Sequence, residues 1–122
     1  MNLTLIKSFL PDFNIDQFCM FEKIISLDWK PVFDEESWED HKNLILEMIS
    51  PDHYKIMIEC RGVDTFRFQG DGHISGFYIK DMSASGYEKY ANYKVGDYEE
   101  HKIEFYCSDI IIKNLEKIED SI

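Results

Sequence analysis

The chain reads as an α+β domain, with an N-terminal helix packed on a curved, mainly antiparallel meander sheet of about six or seven strands. Three observations predict it. A capped apolar stripe at helical spacing occupies the N-terminal part, and from Asn43 onward apolar residues alternate with polar ones between turn residues. No strand-helix-strand alternation appears, which disfavours a doubly wound parallel sheet. At 122 residues the chain fits a single domain, residues 1–122. Its 44% apolar share, with nine Phe, seven Tyr and two Trp, supplies large core side chains that a disordered chain of similar charge lacks.

Residues 14–27, NIDQFCMFEKIISL, read as the helix. Asn14 caps it, Gln17 stands at the reciprocal capping-box position, and Ile15, Phe18, Cys19, Phe21 and Ile25 fall on or near one stripe with Glu22 as the polar exception. Residues 28–42, DWKPVFDEESWEDHK, contain Pro31 and show no clean period. They read as a loop with one helical turn beginning near Asp34. Alternation then marks strands at 44–49, 54–60 and 64–69, with SPDH as the first turn. GDG at 70–72 turns into a strand over 73–82; ASGYEK is loop; 90–95 and 102–107 are strands around the turn GDYEEH. Residues 108–115 extend the last strand or begin another. In the tail, Leu115, Ile118 and Ile122 satisfy strand and short-helix spacings alike, and the choice stays open.

Composition excludes several function classes. The formal net charge is −11, with 12 acids against 5 bases in residues 1–60 and 12 against 8 in residues 61–122. A field of this sign repels phosphate backbones and anionic lipid heads, so neither nucleic acid nor membrane is an expected partner, and it speeds encounter with cations. Cys19, Cys60 and Cys107 are odd in number, scattered and set in apolar stretches, which predicts buried free thiols in a reducing compartment. The N-terminus has Lys7 inside its only apolar run and Pro11 and Asp12 soon after, unlike a signal peptide. No stretch is long and apolar enough for a membrane span. The expected location is the cytoplasm.

Chemistry-bearing patterns are weak. Gly70, Gly72 and Gly76 are spaced GxGxxxG between two predicted strands, whereas a dinucleotide loop needs GxGxxG between strand and helix. They read as turn glycines. The histidines His41, His53, His73 and His101 share no metal spacing; His41 with Asp40 and Glu39 is the one local grouping, and nothing specifies a metal there. There is no GxSxG elbow, and Cys107 ends an alternating strand where it faces a core. No catalytic residue, metal or cofactor is expected.

The acids carry the most information. Asp34, Glu35, Glu36, Glu39 and Asp40 place five carboxylates within seven residues around Trp38. Burying an unpaired carboxylate costs several kcal/mol, so these side chains are exposed or paired. A solvated loop is one reading. Trp29, Phe33 and Trp38, interleaved with the acids, support a second, because aromatic anchors inside a charged rim are a common build for tight protein interfaces. Asp97, Glu99 and Glu100 with Tyr98 form a second acidic group in a turn that can adjoin the first.

A small acidic α+β domain with the segments DWKPVFDEESWEDHKNLILEM, FRFQGDGHISGFYIKDM and YKVGDYEEHKIEFYCSDIIIKNLEKI resembles the immunity proteins that protect bacteria from polymorphic toxins. The resemblance implies stoichiometric inhibition: binding of a cognate, basic toxin domain, often a nuclease, with no catalytic residues. On that reading the partner-binding residues are Asp34, Glu35, Glu36, Trp38, Glu39, Asp40, Asp97, Tyr98, Glu99 and Glu100. The alternative is a ligand-binding or enzymatic domain with a pocket on the concave face of the sheet, using Tyr78, Tyr93 or Phe105. The oligomeric state is open.

Overall fold

A computed structural model describes residues 1–36, 38–83 and 91–118, with the side chains of Val32, Asp34, Glu39, Asp40 and His41 outside the description. A short helix, α1 (Thr4–Lys7), and a 3₁₀ helix (Ile15–Met20) precede eight strands: β1 (Lys23–Asp34), β2 (Glu39–Ile49), β3 (Tyr54–Arg61), β4 (Asp64–Phe68), β5 (Phe77–Asp81), β6 (Tyr93–Asp97), β7 (Ile103–Cys107) and β8 (Asp109–Lys117). The architecture is antiparallel and rich in sheet. It differs from the expectation in having two four-stranded sheets, ordered β1-β2-β3-β8 and β4-β7-β6-β5, in place of one.

The expected helix over 14–27 is cut short. Its capping box forms: the Asn14 side chain accepts from the Asp16 amide at 2.9 Å, and the Gln17 side chain accepts from the Asn14 amide at 2.9 Å. At Phe21 the backbone is already extended, with φ −86° and ψ 113°. The rest of the stretch joins β1, because pairing with β2 along a whole strand satisfies more backbone groups than one further helical turn. A bulge between Ile24 and Ser26 explains the misleading spacing. The extra residue, Ile25, is 44% exposed, and buried Ile24 is followed by partly buried Leu27 at a helix-like interval of three.

Residues 28–42 are likewise not a loop. β1 and β2 stay paired from Lys23 opposite Ile49 to Asp34 opposite Glu39. β3, however, pairs with β2 only over Leu44–Ile49. Beyond Asn43 the hairpin is a two-stranded ribbon projecting from the sheet, tied back among the described residues by a backbone bond in which the Val63 amide donates to the Lys42 carbonyl at 2.8 Å. The described strand residues of the arm, Lys30, Pro31, Phe33 and Lys42, are all exposed, whichever face they lie on, so the sequence there shows no clean alternation.

The two sheets are joined at a corner. β3 runs into β4 through Gly62 and Val63, and β7 into β8 through Ser108 alone. Since β3 pairs with β8 and β4 with β7, these are two halves of one bent ribbon. The Ser108 amide and hydroxyl both donate to the Arg61 carbonyl at 2.9 Å. Gly62 has φ +63°, and a Cβ there would lie 2.5 Å from Ser108 Oγ, so the corner requires glycine.

One contiguous core fills the space between the sheets. Leu44, Leu46, Met48, Ile56, Ile58 and Ile110 from the first sheet meet Phe77, Ile79, Val95, Ile103 and Phe105 from the second, with Phe13, Phe18 and Phe21 closing one side. A second bulge, between Met57 and Ile58 on the β3–β8 ladder, explains the ambiguous tail. The buried positions run Ile110, Ile112, Leu115, shifting from two-residue to three-residue spacing while the backbone remains a strand to Lys117. The predicted strand over 73–82 shortens to β5, with His73 making an isolated bridge to Lys23. The whole of the loop ASGYEK, the start of the predicted strand at Tyr90 and the tail from Glu119 lie outside the described residues. Among the described residues no helix is long and apolar enough to cross a membrane.

Candidate protein-binding surface

The arm carries an aromatic line on the face that continues from the core. Trp29 lies opposite fully buried Leu44, and the two-residue period of β1 places Pro31 and Phe33 on the same side. The Phe66 ring lies 5.8 Å from Phe105 in the core, and the Trp29 ring lies 5.4 Å from Phe66. Further out, Phe33 and Trp38 meet edge to face at 5.6 Å. Exposure rises toward the tip: Phe33 is 50% and Trp38 80% exposed. Trp38 also has φ +56°, a conformation costing on the order of 1 kcal/mol or more for a bulky residue. The fold holds a large apolar ring in solvent on a strained backbone, the reverse of what folding stability alone favours.

Acidic residues flank Trp38 along the chain. Glu35 and Glu36 are exposed in the turn. The register sets Asp34 opposite Glu39 and Asp40 opposite Phe33, so both strand ends bring acids to the tip. The side chains of Asp34, Glu39 and Asp40, and the grouping of His41 with the last two, lie outside the described residues.

The second acidic group is elsewhere. The turn after β6 is bound to the segment 69–76: the Tyr98 amide donates to the Gly76 carbonyl at 3.0 Å, and Lys102 Nζ donates to the His73 carbonyl at 3.1 Å. His73 bridges Lys23, the first residue of β1, whereas the arm tip follows the last. Roughly 36 Å of extended strand separates the two groups, so they form no single patch. Asp97 also departs from the expectation of a partner-binding side chain. It is 1% exposed, and its carboxylate accepts from the Glu100 amide at 3.1 Å and the Ile103 amide at 2.9 Å. Tyr98, Glu99 and Glu100 are exposed; Tyr98 stacks on Tyr78 at 4.3 Å, and Glu100 pairs with Lys102 at 2.9 Å, a contact that raises the Lys102 ammonium above its ordinary range.

The residues proposed for a concave pocket are divided between two faces. Tyr93 and Phe105 belong to the packed core, and Tyr78 lies on the outer face of the second sheet, where burial raises its hydroxyl above the ordinary value. Tyr78 covers Gly96 directly across the ladder; a Cβ on Gly96 would lie 2.7 Å from its hydroxyl. Cys60 and Cys107 are buried and free as expected, but Cys19 is exposed, because its short 3₁₀ helix turns it to solvent. His53 and His101 sit at positive φ in turns. Among the described residues no three His, Cys, Asp or Glu side chains are grouped to hold a metal ion.

Phe66, the link between Trp29 and the core, escaped the sequence reading. It was visible only as one of two alternating phenylalanines on β4, and no spacing rule connects it to Trp29 across the sandwich. Compared with family models, with curated proteins and with solved structures, the chain matches none of them.

Proposed function

We propose that the projecting hairpin is a recognition arm with which this protein binds a cationic toxin domain and neutralises it stoichiometrically, as the immunity proteins it resembles do. The observation that carries the reading is the Phe33–Trp38 pair, held in solvent at the end of a ribbon the core does not need. Large aromatic rings within a polar rim are the usual centres of binding energy in protein interfaces. The flanking acids and the net charge of −11 supply the complementary field for a basic partner. Glu99, Glu100 and Tyr98 stand too far from the tip to share this contact.

The reading predicts that an adjacent gene encodes a secreted toxin domain; the test uses that protein, with association followed in real time and protection scored in co-expressing cells. Reversing Glu35, Glu36, Glu39 and Asp40 to lysine is expected to slow association about 10- to 100-fold at low salt, with little effect on dissociation. Trp38→Ala is expected to speed dissociation at least about tenfold, as loss of an interface anchor does. Unchanged rates and full protection in both variants would remove the arm from the interface.

A further inference from the structure

Four strands form the sheet edges, and three of them carry devices that prevent another strand from pairing with them. β1 has a bulge at Ile25 and a proline at position 31, which has no amide hydrogen to donate. β4 has a register shift between Asp64 and Arg67, with Thr65 at φ +55°. β8 has the bulge at its pairing with Met57. β5 differs: its register to β6 is unbroken from Phe77 to Asp81, and it contains neither proline nor bulge.

The hydrogen-bond parity of β5 shows which backbone groups are available. Gly76 accepts from the Tyr98 amide at 3.0 Å and Met82 donates to the Asn92 carbonyl at 2.7 Å, so the even-numbered residues face β6. In an antiparallel ladder the alternate residues point the other way. The amides and carbonyls of Phe77, Ile79 and Asp81 therefore form the free edge, and no hydrogen bond from another described residue reaches them. A groove of about 460 Å³ runs along this edge, with all five β5 residues on one side and Ile15, Asp16 and Cys19 of the 3₁₀ helix on the other. The 3₁₀ helix packs closely against β5 as well as lining the groove, so the space along the edge is that of the groove itself. This row of alternating donors and acceptors, backed by a groove, is the chemistry that recognises an extended backbone.

We propose that β5 is a strand-addition site that takes an extended, cationic segment of a partner protein as a fifth strand of the second sheet. The sign of the partner follows from Asp16 and Asp81, two carboxylates against the single ammonium of Lys80 in the groove, on a chain of net charge −11. The site is independent of the arm. β5 and β4 are opposite edges of the second sheet, and it is β4 that carries Phe66 to Trp29.

Amide hydrogen exchange on the full chain tests this, with a ten-residue peptide of alternating valine and lysine as the probe. In the free protein the Phe77, Ile79 and Asp81 amides exchange fast and those of Tyr78 and Lys80 slowly; saturating peptide slows the first three at least about tenfold. Asp81→Pro deletes one outward amide without entering the core and weakens peptide binding by a similar factor, while the Tyr78 and Lys80 amides keep their protection. Three results overturn the proposal. The first is protection of the outward amides without peptide, which means that another part of the chain covers the edge or, if it rises with protein concentration, that a second copy does. The second is peptide binding that leaves these amides exposed. The third is equal protection by a peptide of alternating valine and glutamate.

Discussion

Replacing Asp97 with alanine removes the acceptor used by the Glu100 and Ile103 amides and leaves the buried Ile103 donor without a partner. A buried donor so abandoned costs about 1–3 kcal/mol, and more when the lost acceptor was charged. Asp97→Ala is therefore expected to lower unfolding free energy by about 2–4 kcal/mol in urea titration. Asp97→Asn keeps one acceptor oxygen and should lose less. Glu99→Ala, two residues on and exposed, should stay within about 0.5 kcal/mol of the parent. Equal losses at Asp97 and Glu99 would contradict the assignment of Asp97 to the turn. Two acids two residues apart look alike as sequence; what separates them is which one the tight turn directs inward.

The arm provides the test at the level of one element. Because β3 stops supporting β2 at Leu44, an Asn-Gly turn in place of residues 32–41 should close the hairpin at Pro31 and Lys42 and keep the Val63 bond. The shortened chain is expected to melt within a few degrees of the parent and to lose the toxin binding proposed for the arm. A large loss of thermal stability would show that the arm belongs to the core. The hairpin, with its register over 11 paired positions, was not legible in the sequence, whereas β3, β6 and β7 were. The central strands have one face buried and one wet, so their residues alternate; the described strand residues of the arm are all exposed and do not. The two other misreadings share a cause. An inserted residue at Ile25 and another on β8 turn a period of two into an interval of three, and Ile24 to Leu27 or Ile112 to Leu115 then looks helical. The exposure of Glu35 and Glu36 was legible because clustered acids resist burial in any fold. The distance of the tip from the turn after β6 was not, because that depends on where the 69–76 segment docks.

At the scale of the whole molecule, the buried thiols tie stability to pH. Cys60 on the first sheet and Cys107 on the second are both buried. A hydrogen bond to Cys107, together with burial, holds the Cys60 thiol well above its ordinary range. An acid whose pKa is raised by folding stabilises the fold fully below its unfolded value, and that contribution is lost as pH rises through the folded value. Stability should thus decline from about pH 8.5 upward, with Tyr78 and Tyr93, also raised by burial, adding to the decline above about pH 10. Urea midpoints from pH 7 to 10 measure this, and Cys60→Ala should flatten the decline between pH 8.5 and 10 whatever it costs at pH 7. An identical slope in the variant would exclude the thiol. The corner has a kinetic consequence as well. Ser108 reaches Arg61 across 47 positions of chain, and both halves of the bent ribbon depend on that closure. Chain entropy must be lost before either half gains its ladder, so refolding in stopped flow should take milliseconds to seconds, in the range of β-sandwiches of high contact order. Any state in which the corner is open leaves the apolar face of β1 to β3 uncovered, and a nascent chain of this protein is most exposed to aggregation in such a state.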